Sequence, residues 1–196
     1  MTTEIRTRAQ RRDRWVSWIV IAIFVIALAC GWLVKTLAES RTVQFEMDGL
    51  RAHYPADWVR TDAEEPYLLR VEDPLAYPFR TALTLQRRPF QGALGTVKST
   101  LALERARNWG ECTAYRVLET EESVSIYGRT AMHVTFAYVE TNVKPGFETE
   151  PVVMVGEDYI FYAENQVYIV TITAAEENSD RAHDVLQGLM SSLQVP

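Results

Sequence analysis

The residues best spaced for chemistry lie near the C-terminus. Asp180, His183 and Asp184 stand at i, i+3 and i+4, positions that share one face of a helix. Two carboxylates and an imidazole so placed offer oxygen and nitrogen donors to a hard cation, with water completing its shell. The same residues also fit a plain structural role, because acidic side chains favour a helix N-terminus in any case. His53, His133 and His183 fall in three different segments. His133 sits among small residues in a strand pattern, which reads as a satisfied sheet histidine. The chain contains no CxxC, HExxH, GxSxG, Walker loop or GxGxxG, the spacings by which metal, nucleophile and phosphate chemistry announce themselves. The expectation is therefore no catalytic residue, no cofactor and no metal. If a divalent cation binds at all, the candidate ligands are Asp180, His183 and Asp184.

Cys30 raises a different chemistry, lipidation. It follows "ALA", an apolar run and five arginines, the ingredients of a lipoprotein signal. Against that, Ala27 stands where the lipobox has Leu, and Gly31 to Val34 prolong the apolar run beyond the cysteine. From Trp15 to Val34 there are 20 uncharged residues, 11 of them Val, Ile, Leu or Phe. A secretory signal core has about 7 to 15. As a helix the run spans roughly 30 Å, the thickness of a bilayer core. Its aliphatic and Phe residues favour insertion by roughly 3 to 6 kcal/mol. The reading is an uncleaved transmembrane helix over residues 15–35, with Cys30 a small apolar filler; a chain cleaved and acylated at Cys30 is the alternative. Trp15, Trp18 and Trp32 are placed for the two headgroup regions. Arg6, Arg8, Arg11, Arg12 and Arg14 precede the run, so the positive-inside rule puts residues 1–14 in the cytoplasm and everything after the span outside it.

The first 14 residues carry five Arg against Glu4 and Asp13, a charge of +3, which leaves −9 for residues 15–196 of a chain whose total is −6. An acidic outer part excludes nucleic acid and an anionic leaflet as natural partners. Residues 36–42 read as a linker, and 43–196 as one domain of ordinary size. Cys30 and Cys112 fall in different parts of the chain and do not pair; Cys112 reads as a buried structural thiol.

The elements that must position these residues follow from periodicity. "VQFEMDGLRAHYP" reads as a hairpin about Asp48-Gly49, because the primed turns need positive φ. Residues 67–73 and 79–88 read as strands, the second with Phe79, Thr81, Leu83 and Leu85 on one face. Residues 95–110 change to helical spacing, with Gly110 as the stop. "AYRVLETE" and "SVSIYG" read as two strands about a Glu121-Glu122 turn. "RTAMHVTFAYVE" reads as one long strand with Met132, Val134, Phe136 and Tyr138 on one side. "VVMVGEDYIFYA" and "VYIVTITA" read as a pair joined at Glu164-Asn165. Ala182, Val185, Leu186, Leu189, Met190 and Leu193 form one apolar helix stripe, capped by Asn178 or Ser179. "YLLRVEDPLAYPF" mixes aromatics, prolines and charge; it reads as an exposed docking loop or, as aromatic strand ends more often do, as a segment packed inward. The sum is an α+β fold, an antiparallel sheet with helices packed on its faces.

Several phrases carry a resemblance. "LRAHYPADWV", "YGRTAMHVTFAY" and the closing "DYIFYAENQVYIVTITAAEENSDRAHDVLQGLMSSL" resemble the PsbP/Mog1-like domains, with Tyr54, Pro55, Trp58 and Gly128 as the matched positions. The resemblance implies an α-β-α sandwich used as a binding or accessory module. This chain departs from the family in carrying its own apolar span. Together these readings give a membrane-anchored, non-enzymatic accessory or binding subunit of a larger membrane protein complex. The alternative is a free-standing, membrane-tethered domain that binds or senses a small ligand.

Overall fold

The computed structural model describes residues 3–39, 41–77, 79–89, 92–108, 112–140 and 151–195. The chain divides into two units, Met1–Arg41 and Thr42–Pro196.

The first unit is one helix, α1 (Thr3–Glu39). It is longer than the apolar run, because the arginine-rich segment before Trp15 continues the same helix. The apolar part covers Trp15–Thr36, and none of it is buried by the rest of the chain. A helix of 22 such residues satisfies its own backbone hydrogen bonds, as a bilayer core would demand of a single span.

The second unit opens with the hairpin of β1 (Thr42–Met47) and β2 (Leu50–Pro55). Asp48 and Gly49 take φ of 51° and 81°, as the sequence predicts for this turn. The hairpin stands apart from a seven-stranded antiparallel sheet. In spatial order that sheet runs β3 (Val59–Arg60), β4 (Tyr67–Glu72), β5 (Ala82–Pro89), β9 (Gln166–Ala175), β8 (Val152–Ala163), β7 (Arg129–Glu140) and β6 (Cys112–Ile126). The last strand in sequence thus lies in the middle of the sheet, with β5 on one side and β8 on the other.

One face is the main core. Leu83, Leu85, Phe161, Val170 and Ile172 point into it, each at most 2% exposed. The stripe of α3 (Ser179–Ser192) covers them through Ala182, Leu186, Leu189 and Met190. The hairpin closes the same layer with Phe45, Leu50 and Ala52. It is stitched to the end of α3: Arg51 and Gln194 exchange backbone hydrogen bonds of 2.9 and 2.8 Å, and the His53 N–H donates to Ser192 Oγ at 2.8 Å. On the other face α2 (Leu94–Asn108) packs Val97 and Leu101 on Met132, Val134, Ile160, Val167 and Ile169.

Four details differ from the sequence reading. Glu121-Glu122 is not a turn. β6 runs unbroken through it, and the extra residues are absorbed as register shifts between Thr113 and Arg116, Val117 and Glu119, and Glu121 and Val124. Neither Asn178 nor Ser179 caps α3 with its side chain. A 3-10 turn (Glu176–Asn178) feeds the helix, and Ser179 Oγ donates back to the Glu176 carbonyl at 2.7 Å. β5 begins at Ala82, leaving Phe79 and Thr81 in the approach to it, and β3 is an added edge strand. Gly110 and the side chain of Cys112 lie outside the described residues.

Candidate functional site

Among the described residues α2 roofs only part of the second sheet face. A neighbouring part is paved with short side chains, and strand register says why. Thr84 lies opposite Arg70 on one side and Thr171 on the other, and Thr171 lies opposite Asp158. In the next row Ala82 lies between Glu72 and Thr173, and Thr173 lies opposite Gly156. The same strands put Leu83, Leu85 and Ile172 on the main core. Small and hydroxyl side chains in the centre of a sheet, between tall ones at its margins, leave a depression. Its volume is about 810 Å³, with Ala82, Thr84, Thr171 and Thr173 below and Arg70, Arg80, Arg88, Glu104, Tyr138 and Glu140 around it.

Arg105 of α2 reaches the deepest part. Its Nη1 and Nη2 donate to the two carboxylate oxygens of Asp158 at 2.6 and 2.7 Å, and Nη2 also reaches Thr171 Oγ1 at 3.3 Å. Thr171 Oγ1 in turn donates to Asp158 at 2.6 Å. Arg105 is 7% exposed and Asp158 1%. Burial by itself would lower the Arg105 pKa; the Asp158 charge and hydrogen bond, aided by Tyr115, outweigh it and hold the guanidinium above its ordinary value. The Tyr115 phenol is pushed up by burial, and Arg105 partly offsets this. The Arg105 guanidinium also lies 4.2 Å from the centre of the Phe136 ring. That stack needs Gly156, because a Cβ there would enter the Phe136 ring. The pair is a fixed floor fitting rather than a free reagent.

Around the rim the guanidiniums are held by carboxylates. Arg70 donates through Nε and Nη2 to Glu72 Oε1 at 3.2 and 3.1 Å, and Arg80 Nη1 donates to Glu72 Oε2 at 3.1 Å. Arg88 donates to Gln86 and, at 2.9 Å, to Glu104.

A second polar cluster borders α3 on the main-core face. Glu157 of β8 accepts from His183 Nδ1 at 3.0 Å and from His133 Nε2 at 3.1 Å; His133 Nδ1 faces Glu121 at 3.1 Å. The His133 ring stacks on Tyr159 at 4.6 Å. An imidazole with a carboxylate at each nitrogen can donate to both only when protonated. Accordingly the hydrogen bond that His133 donates to Glu157 raises the His133 pKa, against burial and with help from Glu121. Burial would raise the Glu157 carboxyl, but His133 and His183 together bring it below its ordinary value.

The residues singled out from sequence fall as follows. Asp180 and Asp184 are exposed on α3, and His183 between them turns to Glu157. Among the described residues no three His, Cys, Asp or Glu side chains are arranged to hold a metal. Trp15, Trp18 and Trp32 are about 70% exposed on α1, and Cys30 is an exposed free thiol. Tyr54 packs against the main core. The Pro55 carbonyl accepts from the Trp58 N–H at 3.2 Å. Trp58 is buried with its Nε1 unpartnered among the described residues, beside a small cavity of about 230 Å³. Gly128 takes φ of 80° in the β6–β7 turn. Leu75 and Tyr77 of the "DPLAYP" loop are 78% and 77% exposed. Sequence reasoning missed the Arg105–Asp158 pair and the Glu157 bridge. The only signal for either was a charge inside an apolar strand, Glu157-Asp158 in "VVMVGEDYIFYA".

No family profile matches the sequence, and no curated protein sequence matches it. Solved structures resemble it. The cyanobacterial PsbP protein CyanoP of Synechocystis sp. PCC 6803 is 12% identical, with 81% of this chain and 94% of that chain covered and a TM-score of 0.56. The Ran-binding protein Mog1p of Saccharomyces cerevisiae is 10% identical over 79% of this chain and 95% of its own, with a TM-score of 0.50. A Bacteroides thetaiotaomicron protein is 13% identical over 78% of this chain; this chain spans 48% of that protein, with a TM-score of 0.45. At this identity the likeness is one of fold: a PsbP/Mog1-like sheet with helices on both faces, preceded by an apolar helix.

Proposed function

We propose that this chain, with its PsbP/Mog1-like domain, is a membrane-anchored, non-enzymatic accessory or binding subunit of a larger membrane protein complex. The observation that carries the reading is the apolar helix Trp15–Thr36, none of which is buried by the chain itself. Lipid supplies the missing cover, Trp15, Trp18 and Trp32 anchor its ends, and the arginines before it hold the N-terminus in the cytoplasm. The domain then works outside the cytoplasm by contact. Its deepest charged pair is locked by mutual hydrogen bonds and a ring stack, and the exposed His183 is occupied by Glu157. The fold supports the same reading, since Mog1p is by its name a Ran-binding protein. A second reading, a tethered domain acting alone on a small ligand, is favoured by the groove of about 810 Å³.

Mild detergent extraction followed by native size separation tests the first reading. The expected result is a stable particle of several different chains. A monodisperse single chain would overturn the subunit reading in favour of the tethered binder. Intact mass of the extracted protein tests the anchor, and a mature chain that begins at an acylated Cys30 would sink the uncleaved span.

A further inference from the structure

The cavity of about 230 Å³ beside Trp58 lies between the N-terminal end of α3 and the loop that follows β4. Trp58, Asp73 and Thr81 line it, each at most 5% exposed. Each brings a polar atom that lacks a hydrogen bond among the described residues. The Trp58 indole N–H has no acceptor. Asp73 accepts the Leu75 N–H through Oδ1 at 2.9 Å; its Oδ2 has only the Arg181 guanidinium, 3.7 Å away and beyond hydrogen-bond reach. The Thr81 carbonyl accepts from the Asp73 N–H, but the Thr81 hydroxyl has no partner. Around the mouth stand Leu75 and Tyr77, 78% and 77% exposed. Asn178 joins them, its Nδ2 donating to the Tyr77 carbonyl at 3.5 Å. The cavity therefore holds a buried donor in want of an acceptor and a buried acceptor in want of a donor, beneath a rim with two large exposed side chains.

We propose that this cavity receives one glutamine or asparagine side chain of a partner protein. Its amide oxygen accepts from Trp58 Nε1, and its amide nitrogen donates to Asp73 Oδ2 and to Thr81 Oγ1. An ammonium is donor-only and an ionised carboxylate acceptor-only, so each would leave one of the buried groups unmet; a carboxamide answers both from two adjacent atoms. The volume falls below the roughly 300 Å³ at which small-molecule sites begin, and suits a single side chain. Leu75 and Tyr77 then pack on the partner around that anchor and keep water from it, the setting in which one residue dominates an interface. The proposal rests on the domain working by contact with another protein.

The test uses the full chain in neutral detergent, with 15N at its five tryptophan indoles. Trp58→Phe identifies the Trp58 resonance. Propionamide, the glutamine side chain in isolation, is titrated against butan-2-one, which has the same shape and no N–H. The expected result is a saturable downfield shift of the Trp58 indole with propionamide and none of Trp15, Trp18 or Trp32. Butan-2-one should bind more weakly by about tenfold or more (about 1.4 kcal/mol). Asp73→Asn keeps an acceptor for the Leu75 N–H but turns an amide N–H to the cavity, and should weaken propionamide by at least as much, with a cooperative melt as proof of fold. An unmoved Trp58, equal binding of butan-2-one, or full binding by Asp73→Asn would each overturn the proposal. Tighter binding of propan-1-ol than of propionamide would overturn the carboxamide assignment. The partner is tested by photo-crosslinking from p-benzoylphenylalanine placed at Tyr77 in the native membrane. The expected crosslink lies in a segment of another chain that carries Gln or Asn, and is lost when that residue is changed to Leu. A segment with neither residue, or a multi-chain particle with no crosslink, would overturn the docking and leave the subunit reading standing. A Trp58 shift in a chain recovered alone from the membrane would refute the docked side chain together with the subunit, and leave a site for a free small amide.

Discussion

Consider Asp158→Ala. The substitution removes both carboxylate bonds to Arg105 and the acceptor of the Thr171 hydroxyl. What remains is a guanidinium that is 7% exposed and has lost its buried carboxylate. Breaking one side of a buried pair costs about 3 to 5 kcal/mol, most of it the uncompensated charge. In a chain of this size about 1 kcal/mol moves the midpoint by about 2 to 4 °C. The single variant should therefore melt about 6 to 20 °C below the parent, read by near-ultraviolet circular dichroism of the full chain in detergent. The companion is Arg105→Met with Asp158→Leu, which removes both charges and keeps the volume filled over Phe136. Replacing a buried pair by apolar residues is often neutral or stabilising, so the double variant should recover most of the loss. If the single change leaves the melt unmoved, Arg105 is free to swing into water and the pair is not a fixed floor. If the double variant melts as low as the single one, the charges were not the cause.

Three further outcomes are expected. Leu189→Ala empties a site 1% exposed between α3 and the sheet and should cost about 2 to 5 kcal/mol, seen as a lower midpoint in the same melt. Gly156→Ala forces the Phe136 ring off the sheet and should cost about 1 to 3 kcal/mol, with the Tyr115–Phe136–Arg105 contacts changed in aromatic NMR shifts. The Glu157 cluster makes stability depend on pH. The raised His133 pKa gives a contribution that is full below the ordinary 6.5 and lost as pH rises through the folded value. The lowered Glu157 pKa gives one that is present above the ordinary 4.5 and lost as pH falls through its folded value. The melting midpoint should thus be higher at pH 5.5 than at pH 8, and His133→Gln should shrink the difference; an equal gap in that variant would refute the assignment.

What could be read from sequence was whatever depends on neighbours along the chain. The α3 stripe, the alternation of β7 and the turns at Asp48-Gly49 and Glu164-Asn165 are local patterns, and the structure reproduces them. Glu121-Glu122 misled because paired like charges suggest a turn, whereas an edge strand can absorb the extra residues as bulges with those side chains in water. The groove was not legible for a different reason. Thr84, Thr171 and Thr173 are ordinary strand residues until β9 is known to lie between β5 and β8. Only then do three hydroxyls become one floor. Arg105 and Asp158, 53 residues apart, meet for the same reason. His183 was visible, but its partner lies on β8, and no helix spacing could have named Glu157.

The irregularity of β6 bears on life at a crowded bilayer. On the membrane anchor proposed above, copies would diffuse in two dimensions and meet side by side far more often than the same copies in solution. A long, straight sheet margin would then act as a template for lateral polymerisation, since its unpaired backbone groups invite another strand. Among the described residues this sheet offers no such margin. At one end β3 is two residues long. At the other, β6 is 15 residues long but is broken out of step three times, and Ala114 takes φ of 61° within it. An incoming strand would find its register interrupted every few residues. The domain can be held at high surface density without its sheets growing into one another.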